Sequence, residues 1–165
     1  MENIVGIVLG SRSDWEVMQH TSTTLDELGI AHEVRILSAH RTPGPLHDYC
    51  QTAQDRGLKV IIAGAGLAAA LPGAIAAVTP LPVLGVPMYS KATGGMDALL
   101  AMSQMPGGIP VGTLAIGRPG AVNAAVLAAS IIALGDPAVA DALDTYRKRQ
   151  TQAVLQQPDP RTETG

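Results

Sequence analysis

The 165-residue chain has no phenylalanine, one tryptophan and three tyrosines, so aromatic side chains make up only 2% of it. A flavin would find little to stack its ring system on, and the core must be filled by small aliphatic side chains that let helices approach closely. Charge is scarce as well. Asp, Glu, Lys and Arg account for 15% of the sequence, against roughly 25% in an average soluble protein. With 47% hydrophobic residues, part of the surface is expected to be buried against other subunits. The net charge is -3 with Lys and Arg scattered, so the basic footprint of a nucleic-acid binder is missing and no nucleic-acid partner is expected. The single Cys50 cannot form an internal disulfide, which agrees with a reducing compartment. With no basic neighbour to lower its pKa, it reads as an inert core thiol. The apolar stretches near residues 59–88 and 109–134 are broken by Gly and Pro, and neither holds the ~20 uninterrupted apolar residues of a membrane span. Met1-Glu2-Asn3 leads directly into a strand-like run with no signal-peptide pattern, so a cytoplasmic location is expected. No Cys/His/carboxylate cluster has metal-ligand spacing and no serine sits in a nucleophile elbow, so neither metal nor acyl-enzyme chemistry is expected.

What is present is an alternation of short β-branched runs with longer stretches whose apolar residues recur three or four apart. Strands are predicted at residues 3–9, 33–37, 59–63, 82–86 and 111–116. The first helix should bury Trp15, Val17, Met18, Leu25 and Leu28, capped by Ser13 or Asp14 and closed by Gly29. Near-continuous apolar strands such as Val60-Ile61-Ile62-Ala63 imply burial on both faces, as in a helix-covered parallel sheet. The expectation is an α/β three-layer sandwich, flavodoxin-like, with a five-stranded parallel sheet of order 2-1-3-4-5 and a site at the carboxyl ends of the strands. Asp136-Pro137 is a helix start, opening a last helix to about residue 155. One domain over residues 1–157 is expected, followed by a polar tail at 158–165 that buries too little to order itself.

Segments leaving the strand ends carry the candidate chemistry. Gly10-Ser11-Arg12-Ser13-Asp14 offers hydroxyls and a helix start to a phosphate, with Asp14 able to accept from ribose hydroxyls; an ordinary capped helix start explains it equally well. Ser38-Ala39-His40-Arg41-Thr42-Pro43 sets an imidazole, which titrates near neutrality, beside a guanidinium suited to phosphate. The alternative is a capped loop with His40 bonded to backbone. His20, His32 and His47 lack such neighbours and read as surface or helix residues. Gly64-Ala65-Gly66-Leu67-Ala68-Ala69 matches a dinucleotide fingerprint, but after the third strand instead of the first and without an acidic residue for the ribose. No nicotinamide cofactor is expected; Ala65, Gly66 and Leu67 instead wall a pocket for something small and apolar. The segments at 90–95, 104–108 and 116–123 are rich in glycine, which allows close approach to a ligand, although structural turns explain each of them too.

Gly10 to Trp15, Ser38 to Pro43, Gln104-Met105-Pro106-Gly107-Gly108 and Asn123-Ala124-Ala125 stand in order, and on these motifs the chain resembles the bacterial 5-(carboxyamino)imidazole ribonucleotide mutases over nearly its whole length. The resemblance implies a homo-octamer whose C-terminal helix packs on neighbouring subunits. It implies that Ser11, Asp14 and Arg41 hold a ribonucleotide, with Ser13 near the phosphate, Ser38 at the substrate and His40 as the catalytic histidine. The implied reaction moves a carboxylate from the exocyclic nitrogen to a ring carbon through transient CO2, with no ATP and no cofactor. Two positions depart from the family pattern: Leu67 stands where a glycine is usual and Ala70 where a histidine is usual. Arg118-Pro119 replaces a common Lys-Ala. The departures keep two other readings open, a diverged decarboxylase or carboxylase acting on a related heteroaromatic nucleotide, and a non-catalytic nucleotide-binding protein.

Overall fold

The computed structural model describes residues 3–159 and 161. Five parallel strands, β1 (Val5–Leu9), β2 (His32–Ile36), β3 (Val60–Ala65), β4 (Val83–Pro87) and β5 (Gly112–Thr113), form one sheet in the order β2-β1-β3-β4-β5. The predicted order and class are observed. Six helices cover the sheet: α1 (Trp15–Glu27), α2 (Pro43–Thr52), α3 (Leu71–Ala76), α4 (Met96–Ser103), α5 (Arg118–Ala133) and α6 (Pro137–Leu155). Residues 160 and 162–165 of the expected polar tail lie outside the described residues, as do Met1 and Glu2.

Alternation along the strands divides the core in two. Ile7, Leu9, Ile62 and Val86 point toward α1, α5 and α6, whereas Val8, Ile61, Ala63 and Val83 point toward α2, α3 and α4. Strands β1, β3 and β4 are buried along their whole length, while the edge strand β2 is not. That is the burial a parallel sheet clothed on both faces demands. The scarcity of aromatics is met by α5, where Ala121, Ala124, Ala125, Ala128 and Ala129 are all fully buried in an i, i+3, i+4, i+7, i+8 stripe. Small side chains let α1 come close enough for Thr21 Oγ1 to donate to the Ala121 carbonyl at 2.9 Å.

Three local expectations need correction. Trp15 is 38% exposed, so the buried face of α1 rests on Met18, Leu25 and Leu28 without it. Asp14 stands at the N-cap of α1 as expected but makes no side-chain cap bond there; the side-chain cap belongs to the one-turn 3₁₀ helix Arg12–Asp14 that leads into α1, where Ser11 Oγ accepts from Ser13 N and Asp14 Oδ2 accepts from Ser11 N at 3.0 Å. Strand β5 is two residues long, not six. Leu114 N donates to Gly85 O and Gly117 N to Pro87 O, so three residues advance on one side against two on the other. The extra residue breaks the ladder in the manner of a bulge. At the other end of the chain, Asp136 caps α6 through the N–H groups of Ala138 and Val139, as predicted.

Candidate active site

Because the strands run in register, the segments that leave their carboxyl ends meet on one edge. Strands β1 and β3 are neighbours whose outgoing connections diverge, which opens a crevice at that edge. A cavity of about 450 Å³ occupies it, walled by the segments after β1 (Gly10 to Asp14), β2 (Ser38 to Arg41), β3 (Ala65 to Ala68) and β4 (Met88 to Ser90). All nine residues singled out in the sequence, Ser11, Ser13, Asp14, Ser38, His40, Arg41, Ala65, Gly66 and Leu67, line it.

The turn carrying His40 is clasped from both sides. Thr42 N donates to Ser38 O at 2.9 Å, Ser38 N donates to Thr42 Oγ1 at 2.8 Å, and Arg41 N donates to Ser38 Oγ. Ser38 is therefore part of the scaffold of the turn as well as of the cavity wall. The His40 side chain itself is exposed into the cavity and bonds to no described residue, so the alternative of a backbone-tied histidine does not hold. Arg41 reaches across to the β1 segment, donating from Nη2 to Gly10 O at 2.8 Å and from Nε to Ser38 Oγ at 3.3 Å. Its fixed guanidinium ties the two polar walls together.

Asp14 faces the same side. Burial pushes its carboxyl above the usual carboxylate range, opposed by the Ser11 N–H and by the Arg41 charge. A partly desolvated carboxylate beside two serine hydroxyls is a strong acceptor for ligand hydroxyls. Ser13 Oγ donates to Ser11 Oγ at 3.1 Å, so the two hydroxyls act as a pair.

The wall from β3 is apolar and tight. Gly64, inside the strand, has Met18 Sδ and Met88 Cε where a Cβ would come within 2.8 Å of each, which explains a glycine within the ladder. Leu67 is the one non-glycine among the described residues with a positive φ, 55°, and it is 61% exposed. A left-handed conformation costs an L-residue roughly 1–2 kcal/mol. Ala70 also lines the cavity, at the N-cap of α3. Ala63, Gly64 and Ala69, on either side of this wall, are buried in the core.

Other glycine-rich segments divide. Ser90 lines the cavity and bonds Thr93, whose Oγ1 donates to Asp97. The segment at 104–108 turns away: Met105 packs under Gly73 and Gly108 lines a separate cavity near Pro82 and Pro110. Gly117, with φ 72°, starts α5 outside the site. Cys50 is buried in α2, which pushes its thiol up to about 11, as an inert core thiol should behave. His32 is not the surface or helix residue expected: it opens β2 with its side chain nearly buried, and it bonds Ser22 Oγ and the Ile30 carbonyl, remote from the cavity. Among the described residues no His/Cys/Asp/Glu cluster could hold a metal ion, and no helix is long and apolar enough to cross a membrane. Sequence reasoning missed Met88 and Tyr89. The signal for the second was available, since Tyr89 is one of four aromatic residues and stands two residues beyond the end of buried β4.

Known proteins resemble this chain in sequence and fold. The family model described as AIR carboxylase matches residues 4–153. The N5-carboxyaminoimidazole ribonucleotide mutase of Brucella melitensis is 60% identical over 93% of this chain and 95% of its own. The bifunctional purine synthesis protein purC/E of Dictyostelium discoideum is 57% identical over 94% of this chain, which spans only 16% of that longer protein. The crystal structure of Treponema denticola PurE superposes with a TM-score of 0.84 at 29% identity, covering 93% of this chain and 95% of that one.

Proposed function

The chain belongs to the AIR carboxylase family, and from that premise we propose that it is a mutase of purine biosynthesis, converting N5-carboxyaminoimidazole ribonucleotide to its carbon-carboxylated isomer with His40 as proton carrier. One observation supports this above the others: an imidazole with no partner among the described residues, held into the cavity on a turn clasped by Ser38 and Thr42.

The chemistry needs a proton delivered and a proton removed. Cleaving the carbamate N–C bond leaves electrons on the exocyclic nitrogen, and the His40 imidazolium donates a proton there as CO2 departs. The electron-rich ring carbon then attacks CO2, the C–C bond forms, and the now neutral His40 takes the proton from that carbon. One histidine returns to its starting state. Arg41, Asp14, Ser11 and Ser13 hold the ribose phosphate. Ala65 and Gly66 supply a close apolar wall that keeps CO2 near the ring and away from water. No step consumes ATP. Product formation from N5-carboxyaminoimidazole ribonucleotide, in buffer without ATP, tests the reading. A diverged decarboxylase or carboxylase acting on a related heteroaromatic nucleotide, the reading that Leu67 and Ala70 keep open, would leave this substrate nearly unconverted, as would a non-catalytic binder.

A homo-octamer with a cytoplasmic location belongs to the same reading. Leu127, Leu134, Val154 and Leu155 are 39%, 90%, 74% and 64% exposed on α5, α6 and the turn between them. These side chains, with the low charge content, support burial against other copies, α6 included. Light scattering at micromolar concentration is expected to give eight times the mass of one chain, and a monomer would contradict the assembly.

A further inference from the structure

The cavity has two unlike halves. The segments after β2 and β1 bring the guanidinium, carboxylate and hydroxyls, whereas those after β3 and β4 bring side chains that are nearly all apolar. Ala65 pairs with Pro87 in the β3–β4 register, and Met88 N donates to Ala65 O at 2.9 Å. The two chains leave the sheet side by side, and two residues beyond the pair each presents a large side chain to the cavity, Leu67 from one and Tyr89 from the other. They are 61% and 67% exposed, so neither gains the fold much burial. Leu67 even sits at φ 55°, a strained backbone conformation. Strain held at a site edge without a packing return points to a ligand-facing role.

We propose that Tyr89 and Leu67 together form the surface on which the flat heteroaromatic ring of the ligand packs, making Tyr89 a specificity-determining residue of the site. The inference rests on the ribonucleotide reading above. The charged half, which includes the turn carrying His40, then takes the ribose phosphate, and the apolar half takes the ring. The Tyr89 ring supplies an aromatic face for offset stacking, and Leu67 closes against the same ring from the neighbouring strand end.

Two probes separate the contributions in calorimetry: aminoimidazole ribonucleotide, which carries the ring, and ribose 5-phosphate, which does not. Tyr89→Ala and Leu67→Gly are each expected to weaken binding of the ring-bearing probe about tenfold, about 1.4 kcal/mol, and to leave ribose 5-phosphate unchanged. Tyr89→Phe, which keeps the face, is expected to bind as wild type does. Leu67→Gly is expected to raise Tm by about 2–4 °C as the strain is released, which separates weak binding from poor folding. Unchanged affinity for the ring-bearing probe in both variants overturns the proposal, as does an equal loss for ribose 5-phosphate or a loss in Tyr89→Phe that assigns the effect to the hydroxyl. Wild type that fails to bind aminoimidazole ribonucleotide removes the ribonucleotide reading together with this one.

Discussion

Changing His40 to asparagine is expected to lower kcat by roughly 10³-fold or more, about 4 kcal/mol of barrier, while substrate affinity stays within about threefold. The asymmetry follows from the site. His40 makes no bond to the described residues, and the turn that carries it is held by Ser38 and Thr42, so asparagine removes the proton carrier without loosening its support. Both proton transfers are lost at once, because the same nitrogen is asked to give a proton to the departing amine and later to accept one from the ring carbon. Thermal denaturation is expected to match wild type. Kinetics with calorimetry on the same preparation provide the check, and a variant keeping a tenth or more of wild-type kcat would remove His40 from the mechanism.

Arg41→Ala is expected to act on binding instead. A charge-assisted hydrogen bond is worth roughly 1.5–3 kcal/mol, so loss of the guanidinium should weaken ribonucleotide affinity by about 10- to 100-fold. Arg41 is also the strap between the two polar walls, through Gly10 O and Ser38 Oγ, and the position of His40 depends on that strap. A fall in kcat smaller than that of His40→Asn should accompany the loss of affinity. Arg41→Lys keeps the charge but cannot span both acceptors with a planar fork, and is expected to fall between the two. Calorimetry showing wild-type affinity for Arg41→Ala would take Arg41 out of the binding site.

How much of this was legible in the sequence varies with the physical signal. Strands β1, β3 and β4 are buried on both faces, and burial of that kind writes continuous apolar runs such as Val60 to Ala63, so the class follows; the order is the simplest one for five such strands. The position of the cavity followed as well, since parallel strands must release their loops at one edge. β5 did not follow. It is an edge strand whose ladder ends at a one-residue offset between Leu114 and Gly117, and no residue type announces such an offset. Helical spacing puts Trp15 inside, yet it is 38% exposed while Met18, three residues on, is fully buried. The glycines at 104–108 look alike in sequence whether they serve a ligand or a turn, and here Met105 turns the segment toward Gly73. The strain at Leu67 has one signal in the sequence, the usual glycine that it replaces, although leucine itself rarely adopts positive φ. Tyr89 escapes because the glycine-rich segment that draws attention begins one residue later, at Ser90.

The most direct measurement follows the carboxyl carbon. N5-carboxyaminoimidazole ribonucleotide labelled with ¹³C in its carbamate, mixed with the protein in unlabelled bicarbonate and without ATP, is observed by NMR as it reacts. The account predicts that the carbamate signal disappears and that most of the label reappears as a carboxylate bonded to the imidazole ring carbon. Label recovered as bicarbonate with aminoimidazole ribonucleotide as the organic product, or a carbamate decaying no faster than without protein, would contradict it.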